Sequence, residues 1–197
     1  HPWVRSWSTI RGPRPLVLNT WEAVYFDHSL DGLERLVAAA ARVGEARTVG
    51  LSGGTTTTDV ARRIRDQELT VVTNAVNIAS ELVVAPTIRL VVTGGIARPQ
   101  SYELIGPLAD ATLAGLNLDL LFIGVDGVSA EGMTTHDEIE AQTDRLMVER
   151  ARHVVVVCDS SKIGRAALSV ICGADQVDVL ITMLPNSPEV EQVALGP

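Results

Sequence analysis

Leu51-Ser52-Gly53-Gly54-Thr55-Thr56-Thr57-Thr58 is the stretch on which the fold of this chain turns. Before it, Arg47-Thr48-Val49-Gly50-Leu51 reads as a short buried strand, and after it Thr56 to Ile64 reads as a helix. A strand, a Gly-Gly turn and a helix N-terminus rich in hydroxyls make an anion site. Free backbone N–H groups and the positive end of the helix dipole face the same space. The glycines let an anion approach the backbone closely. A phosphorylated small molecule is the first ligand such a turn suggests.

The same strand-then-helix pattern runs outward from this point. Apolar strands are predicted near 47–51, 69–73, 88–93, 118–125, 153–158 and 177–182. Helices are predicted near 56–65, 75–84, 106–115, 136–151 and 187–194, with a further one from Ser29 to Arg42. Most of the strands are unbroken Val/Leu/Ile runs, as expected for strands covered on both faces. The alternation predicts an α/β fold: a doubly wound, mostly parallel, Rossmann-like sheet with helices on both faces. Residues 1–28 stand apart, carrying Trp3, Trp7 and Trp21 with Pro2, Pro13 and Pro15. They read as a linker or docking arm, or as an extended strand at the sheet edge. Residues 29–197 form the α/β domain.

Composition narrows the function. The formal net charge of -8 argues against this segment gripping a nucleic-acid backbone by itself. Aromatics are 4% against 46% hydrophobic residues, so the core must be built from Val, Leu, Ile and Ala. No apolar run has the length of a membrane span and no signal peptide opens the chain. Cys158 and Cys172 lack metal-type spacing and read as buried, reduced thiols. A cytoplasmic protein is expected, and with His1 rather than Met at its start the chain is read as a fragment or a processed one.

Ligands of doubly wound sheets bind at the carboxyl ends of the strands, so the residues there are the ones to inspect. Thr73-Asn74 follows the second strand, where Asn74 serves either as a helix cap or as a ligand contact. Thr93-Gly94-Gly95 follows the third, a turn with close backbone access. Gly124-Val125-Asp126-Gly127 follows the fourth. Asp126 either forms a simple Asp-Gly turn or faces a cleft. Asp159-Ser160-Ser161-Lys162 follows the fifth, and Lys162 can bring positive charge to a phosphate. In Thr134-Thr135-His136-Asp137-Glu138-Ile139-Glu140, Thr135 or Asp137 would cap a helix whose dipole Glu138 and Glu140 complement. No P-loop, no Gly-x-Gly-x-x-Gly and no Gly-x-Ser-x-Gly elbow is present, and the four histidines share no metal-ligand spacing. No cofactor and no metal is expected.

These strand ends occur together, in this order, in a known family. Ser52-Gly-Gly-Thr-Thr-Thr57, Val72-Thr-Asn74, Val92-Thr-Gly-Gly95 and Phe122-Ile-Gly-Val-Asp-Gly127 are followed by Gly132-Met-Thr134, Glu140 with Arg145-Leu-Met147, and Asp159-Ser-Ser-Lys-Ile-Gly164. Over residues 29–184 the chain resembles the C-terminal effector-binding domain of DeoR-type bacterial transcriptional repressors. The resemblance implies a fold like that of ribose-5-phosphate isomerase and a phosphorylated sugar, or a related metabolite, as effector. It also implies self-association into dimers or tetramers, and DNA binding through an N-terminal winged helix-turn-helix. That element does not lie in residues 1–28.

The expected pocket follows from both readings. The backbone of Gly53 to Thr57, with the hydroxyls of Ser52, Thr55 and Thr56, would hold the phosphate, and Lys162 would add charge. Asn74, Asp126 and Glu140 would take sugar hydroxyls, with Thr73 and Gly127 beside them. Gly94 and Gly95 would form a wall. The alternative is an enzyme of the same fold, a sugar-phosphate isomerase. Isomerisation needs a carboxylate base and a group that stabilises the enediolate. The isomerases draw these from an Asp-Gly-Ala-Asp-Glu segment, a Lys-Gly-Gly-Gly loop and a downstream Glu. Here Asp126 is the one carboxylate of its segment, Gly132-Met133-Thr134-Thr135 stands near the loop, and Glu140 matches the downstream Glu. A sensor without catalytic residues is therefore expected. A weaker option is an assembly module with no ligand.

Overall fold

The computed structural model describes residues 16–19 and 46–183. Twelve strands and four α-helices lie in them, with two short 3-10 turns. The main sheet comprises β1 (Leu16–Asn19), β2 (Thr48–Leu51), β3 (Leu69–Thr73), β4 (Ile88–Val92), β7 (Leu118–Gly124), β10 (Ala151–Asp159) and β12 (Val179–Met183). Its order is β1-β12-β10-β7-β2-β3-β4. Every pairing within it is parallel. The predicted α/β doubly wound sheet is therefore present, with one strand more than predicted. That strand, β1, lies in the first 28 residues and pairs with β12 at the sheet edge.

The strands follow from the runs that encode them. Leu118–Gly124 and Val154–Cys158 are almost wholly apolar and buried. Two cores flank the sheet, and each contains residues from it. On one face α1 (Thr55–Ile64) and α2 (Val76–Leu82) contribute Val60, Ala61, Ile64, Ile78 and Leu82, packed on Leu51, Val71, Phe122 and Val155. On the other, α3 (Pro107–Ala114) and α4 (Glu138–Arg150) contribute Leu113, Ala141 and Met147, packed on Leu121, Ile123 and Val156. Parallel strands covered on both sides are thus what the unbroken Val/Leu/Ile runs encode.

Two small antiparallel sheets sit outside this frame. β5 (Ile96–Arg98) pairs with β6 (Glu103–Ile105), and β8 (Gly127–Ser129), β9 (Gly132–Thr135) and β11 (Ser169–Cys172) form the other. None of these five was predicted, because runs of three or four residues carry no measurable period. The helix boundaries fall within two residues of their expected ends. The helices expected over 29–42 and 187–194 lie outside the described residues.

The sheet reverses direction at one place. From β2 the chain winds outward through β3 to β4, and from β7 it winds the other way through β10 and β12. β2 and β7 are neighbours in the parallel register Val49–Leu120 to Leu51–Phe122. The crevice beyond the carboxyl ends of β2 and β7 is therefore the topological switch point, the usual ligand position in such sheets.

Candidate effector site at the switch point

The opening segment lies at this crevice. Its turn leaves β2 at Leu51, and α1 begins at Thr55. Gly54 has φ 121°, a conformation that side-chain-bearing residues rarely adopt. Gly124, the last residue of β7, lies opposite, and a Cβ there would stand 2.5 Å from the Gly53 carbonyl oxygen. The two strand ends thus touch through glycine on both sides.

The hydroxyls divide into two groups. Ser52 is fully buried, accepts a hydrogen bond from the Gly124 N–H at 3.0 Å and donates to the Gly53 carbonyl at 3.3 Å. Thr57 and Thr58 both donate to the Gly54 carbonyl at 2.8 Å. Thr73 is buried, donating to the Leu51 carbonyl and accepting from the Ala75 N–H. Those side chains build the turn. The expectation that the Ser52 hydroxyl faces a phosphate is corrected accordingly, since its bonding is spent on the backbone. Gly54 and Thr55 are exposed and Thr56 is half-buried, so the open part of the turn is narrower than the sequence implied.

The Gly53 N–H is also taken. It donates to Glu103 Oε1 of β6, a residue that sequence reasoning missed. Glu103 is buried. Burial, with the neighbouring Glu140 charge adding to it, pushes its carboxyl up to about 8 against the lowering effect of the Gly53 bond. A carboxyl held so far up opposes an anion at the turn less than an ordinary carboxylate would.

Asn74 is fully buried, yet neither its Oδ1 nor its Nδ2 has a hydrogen-bond partner. It does not cap α2: that position is Ala75, which makes no side-chain cap. The capping alternative for Asn74 is corrected on this ground. Its carbonyl instead accepts from the Leu104 N–H, which ties β6 to the end of β3. Gly94 and Gly95 join β4 to β5, both at positive φ. Gly95 rests on the backbone of Ile105 in β6, whereas Gly94 faces open space.

Asp126, Glu140 and Lys162 come together as a chain of bonds. Lys162 Nζ lies 3.0 Å from Asp126 Oδ1. Thr135 Oγ1 lies 3.1 Å from Asp126 Oδ2 and 2.5 Å from Glu140 Oε1, so one hydroxyl is shared between two carboxylates. Burial would raise Asp126, but the hydrogen bond and charge of Lys162 outweigh it and hold its carboxyl below the ordinary value. Gly127 starts β8, packed against Thr134 and the Arg165 carbonyl. Asp137, one of the two caps foreseen for α4, accepts from the Ile139 and Glu140 N–H groups. Glu140 does more than complement the helix dipole, since its Oε2 pairs with Arg98 Nη1 at 3.0 Å. Arg98 Nε also meets Asp137 at 3.2 Å.

Arg98 and Glu103, with Asp144 of α4, are thus residues the sequence did not reveal; the first two share one element. That element is the short β5–β6 hairpin, which no period marks. The local signal was a charged residue inside each of two three-residue apolar runs, Ile96-Ala97-Arg98 and Glu103-Leu104-Ile105.

The class is now defined: an α/β domain whose polar side chains gather at the switch point of a doubly wound sheet. The family model described as the DeoR C terminal sensor domain matches residues 37–183, and the chain belongs to that family. A protein of Escherichia coli O157:H7, named provisionally as an aga operon transcriptional repressor, is 38% identical over 153 residues, covering 76% of this chain and 57% of that protein. The HTH-type transcriptional regulator GlpR of Haloferax volcanii is 36% identical, over 82% of this chain and 65% of its own length. The glycerol-3-phosphate regulon repressor of Escherichia coli K12 is 31% identical, over 78% and 62%. The chain spans less than two thirds of each of these relatives. Among solved structures, ribose 5-phosphate isomerase A of Methanocaldococcus jannaschii aligns over 64% of this chain and 50% of its own, at 22% identity and a TM-score of 0.41.

Proposed function

We propose that this chain is the effector-sensing part of a transcriptional regulator and that it binds a phosphorylated sugar or related metabolite at the switch point. The observation that carries the reading is the Gly54-Thr55-Thr56 turn at the start of α1, exposed at Gly54 and Thr55, where β2 meets β7. The backbone N–H groups there are those a helix leaves unpaired in its first turn, and they suit a phosphate. Asp126, Glu140 and the unpartnered amide of Asn74 supply acceptors and donors for hydroxyls. Lys162 reaches the same region while paired with Asp126. Membership of a sensor-domain family supports this assignment, as does a relative named for a glycerol-3-phosphate regulon.

In the whole protein, DNA binding would belong to a winged helix-turn-helix outside this chain, and self-association would couple the sensor to it. Effector binding would shift the population between two arrangements, with a coupling of roughly 1–3 kcal/mol. A cytoplasmic setting fits this role. Among the described residues no helix is long and apolar enough to cross a membrane.

One observation favours an enzymatic second reading. Asp126, Glu140 and Lys162 are linked through Thr135, which places two carboxylates and an amine within one network. The sensor reading remains the conclusion, because the family to which the chain belongs is one of sensor domains.

The test is a melting-temperature screen with sugar phosphates and their unphosphorylated parents. A phosphosugar should raise Tm where its parent does not, and Lys162→Ala should weaken the phosphosugar more than the parent. No response to any phosphorylated compound would overturn the phosphate site. Binding followed by conversion of the sugar would replace the sensor reading with the enzyme.

A further inference from the structure

Three carboxylates converge in the interior next to the turn. Glu103, Glu140 and Asp144 each offer one oxygen, and these three oxygens lie within 4.8 Å of one another. All three residues are buried, Asp144 to 2% exposure. Arg98 pairs with Glu140, whereas Glu103 and Asp144 have no ion-pair partner among the described residues. Ionising them away from water is costly unless a cation takes the place of their protons.

A second observation concerns bonding rather than charge. Glu103 Oε2 and Asp144 Oδ1 are buried and have no hydrogen-bond partner. Buried polar atoms are normally satisfied, so orphans of this kind call for an explanation. Here two of them belong to side chains whose carboxylates converge on one point.

The donor set selects the ligand. Carboxylate oxygens without sulfur or imidazole suit the hard cations Mg²⁺, Mn²⁺ and Ca²⁺. Their metal–oxygen distances are about 2.0 to 2.6 Å, so oxygens bound to one such ion lie up to about 4–5 Å apart. Three oxygens within 4.8 Å of one another can reach one ion. We propose that Glu103, Glu140 and Asp144 form a site for one divalent, oxygen-preferring cation beside Gly53. The ion would satisfy the orphaned oxygens. Because Glu103 also accepts the Gly53 N–H, the ion would place positive charge directly behind the turn. The proposal stands on the carboxylates; it shares Glu140 with the proposed effector pocket but does not depend on what the turn binds.

The experiment strips the chain with a chelator and titrates it with Mn²⁺, followed by electron paramagnetic resonance, with melting curves in Mn²⁺, Mg²⁺ and Ca²⁺. One Mn²⁺ per chain is expected, with a Tm that climbs with metal concentration as a ligand of the folded state requires. Asp144→Asn and Glu103→Gln should each weaken Mn²⁺ at least tenfold. If a variant fails to fold, broadening of amide signals in the wild-type chain locates the ion: Gly53, Gly54 and Glu140 should broaden first. The proposal is overturned if no dication raises Tm and free Mn²⁺ is not depleted. It is equally overturned if both folded variants bind Mn²⁺ like the wild type, or if the broadening centres elsewhere. A Tm response to a phosphosugar together with no binding of any dication would remove this proposal and leave the sensor reading intact. Mn²⁺ binding together with no response to any phosphosugar would do the reverse.

Discussion

The contact between Gly53 and Gly124 decides how close the two halves of the sheet come at the crevice. A methyl group at Gly124 would stand 2.5 Å from the Gly53 carbonyl, and backbone must move to admit it. Gly124→Ala should therefore cost about 1–3 kcal/mol, as overpacking does. It should also blunt the response to effector, both readable from melting curves with and without phosphosugar. Asp126 is the other residue whose environment makes a prediction. Lys162, Thr135 and the His136 amide hold its carboxyl below the ordinary value of 3.8. A carboxyl depressed in the folded state adds stability above its unfolded pKa and loses it as acid protonates the folded group. Asp126→Asn should thus be less stable than wild type at pH 7 by up to about 1 kcal/mol, a modest figure because the pair is partly solvent-exposed. The gap should close as pH falls through 4 and below. Urea unfolding at pH 7 and at pH 3 would check it, and an equal gap at both would refute the assignment. Of these residues, Gly53, Gly54, Asp126, Glu140 and Lys162 stood out in the sequence as positions, because each sits in a turn or cap with recognisable chemistry; the Glu103 carboxyl that takes the Gly53 N–H did not. Ser52 and Thr73 were legible as positions but not as roles, since a hydroxyl's partner is set by what folds against it.

At the scale of elements, α4 shows how a cap and a site can share atoms. Asp137 accepts two N–H groups of the first turn and also meets Arg98, which in turn holds Glu140. Asp137→Ala should cost about 0.5–2 kcal/mol, the usual value of a lost N-cap. Native-state hydrogen exchange should speed up at Ile139 and Glu140 more than at the middle of the helix. Uniform acceleration would mean that the cap has no local role. The β5–β6 hairpin is the element the sequence hid. Its two strands are three residues long, yet they carry Arg98 and Glu103, directly across from each other, to the acidic cluster. Short strands form here because the hairpin is held from outside: Leu104 bonds to Asn74, and Val76 to Tyr102.

On the scale of the whole molecule, the sheet carries two cores, and β7 serves both. Phe122 lies on the α1–α2 side and Ile123 on the α3–α4 side, each almost fully buried. Phe122→Ala should cost about 3–5 kcal/mol in urea unfolding. Since β7 borders the crevice, it should also lower the affinity for any effector at the switch point, whereas a change of equal cost far from that edge should not. The sequence by itself determined the fold class, six of the seven strands of the main sheet, the two-sided burial and the residues of the turn. Those follow from period, composition and turn chemistry, which act over a few residues. Only the tertiary structure decided that β2 and β7 are neighbours, that the reversal of the sheet falls at the Gly-Gly turn, and that Arg98, Glu103 and Asp144 join Glu140 there. The physical reason is distance along the chain. Gly53 and Glu103 are 50 residues apart, and no local pattern records a contact made by packing two halves of a sheet together.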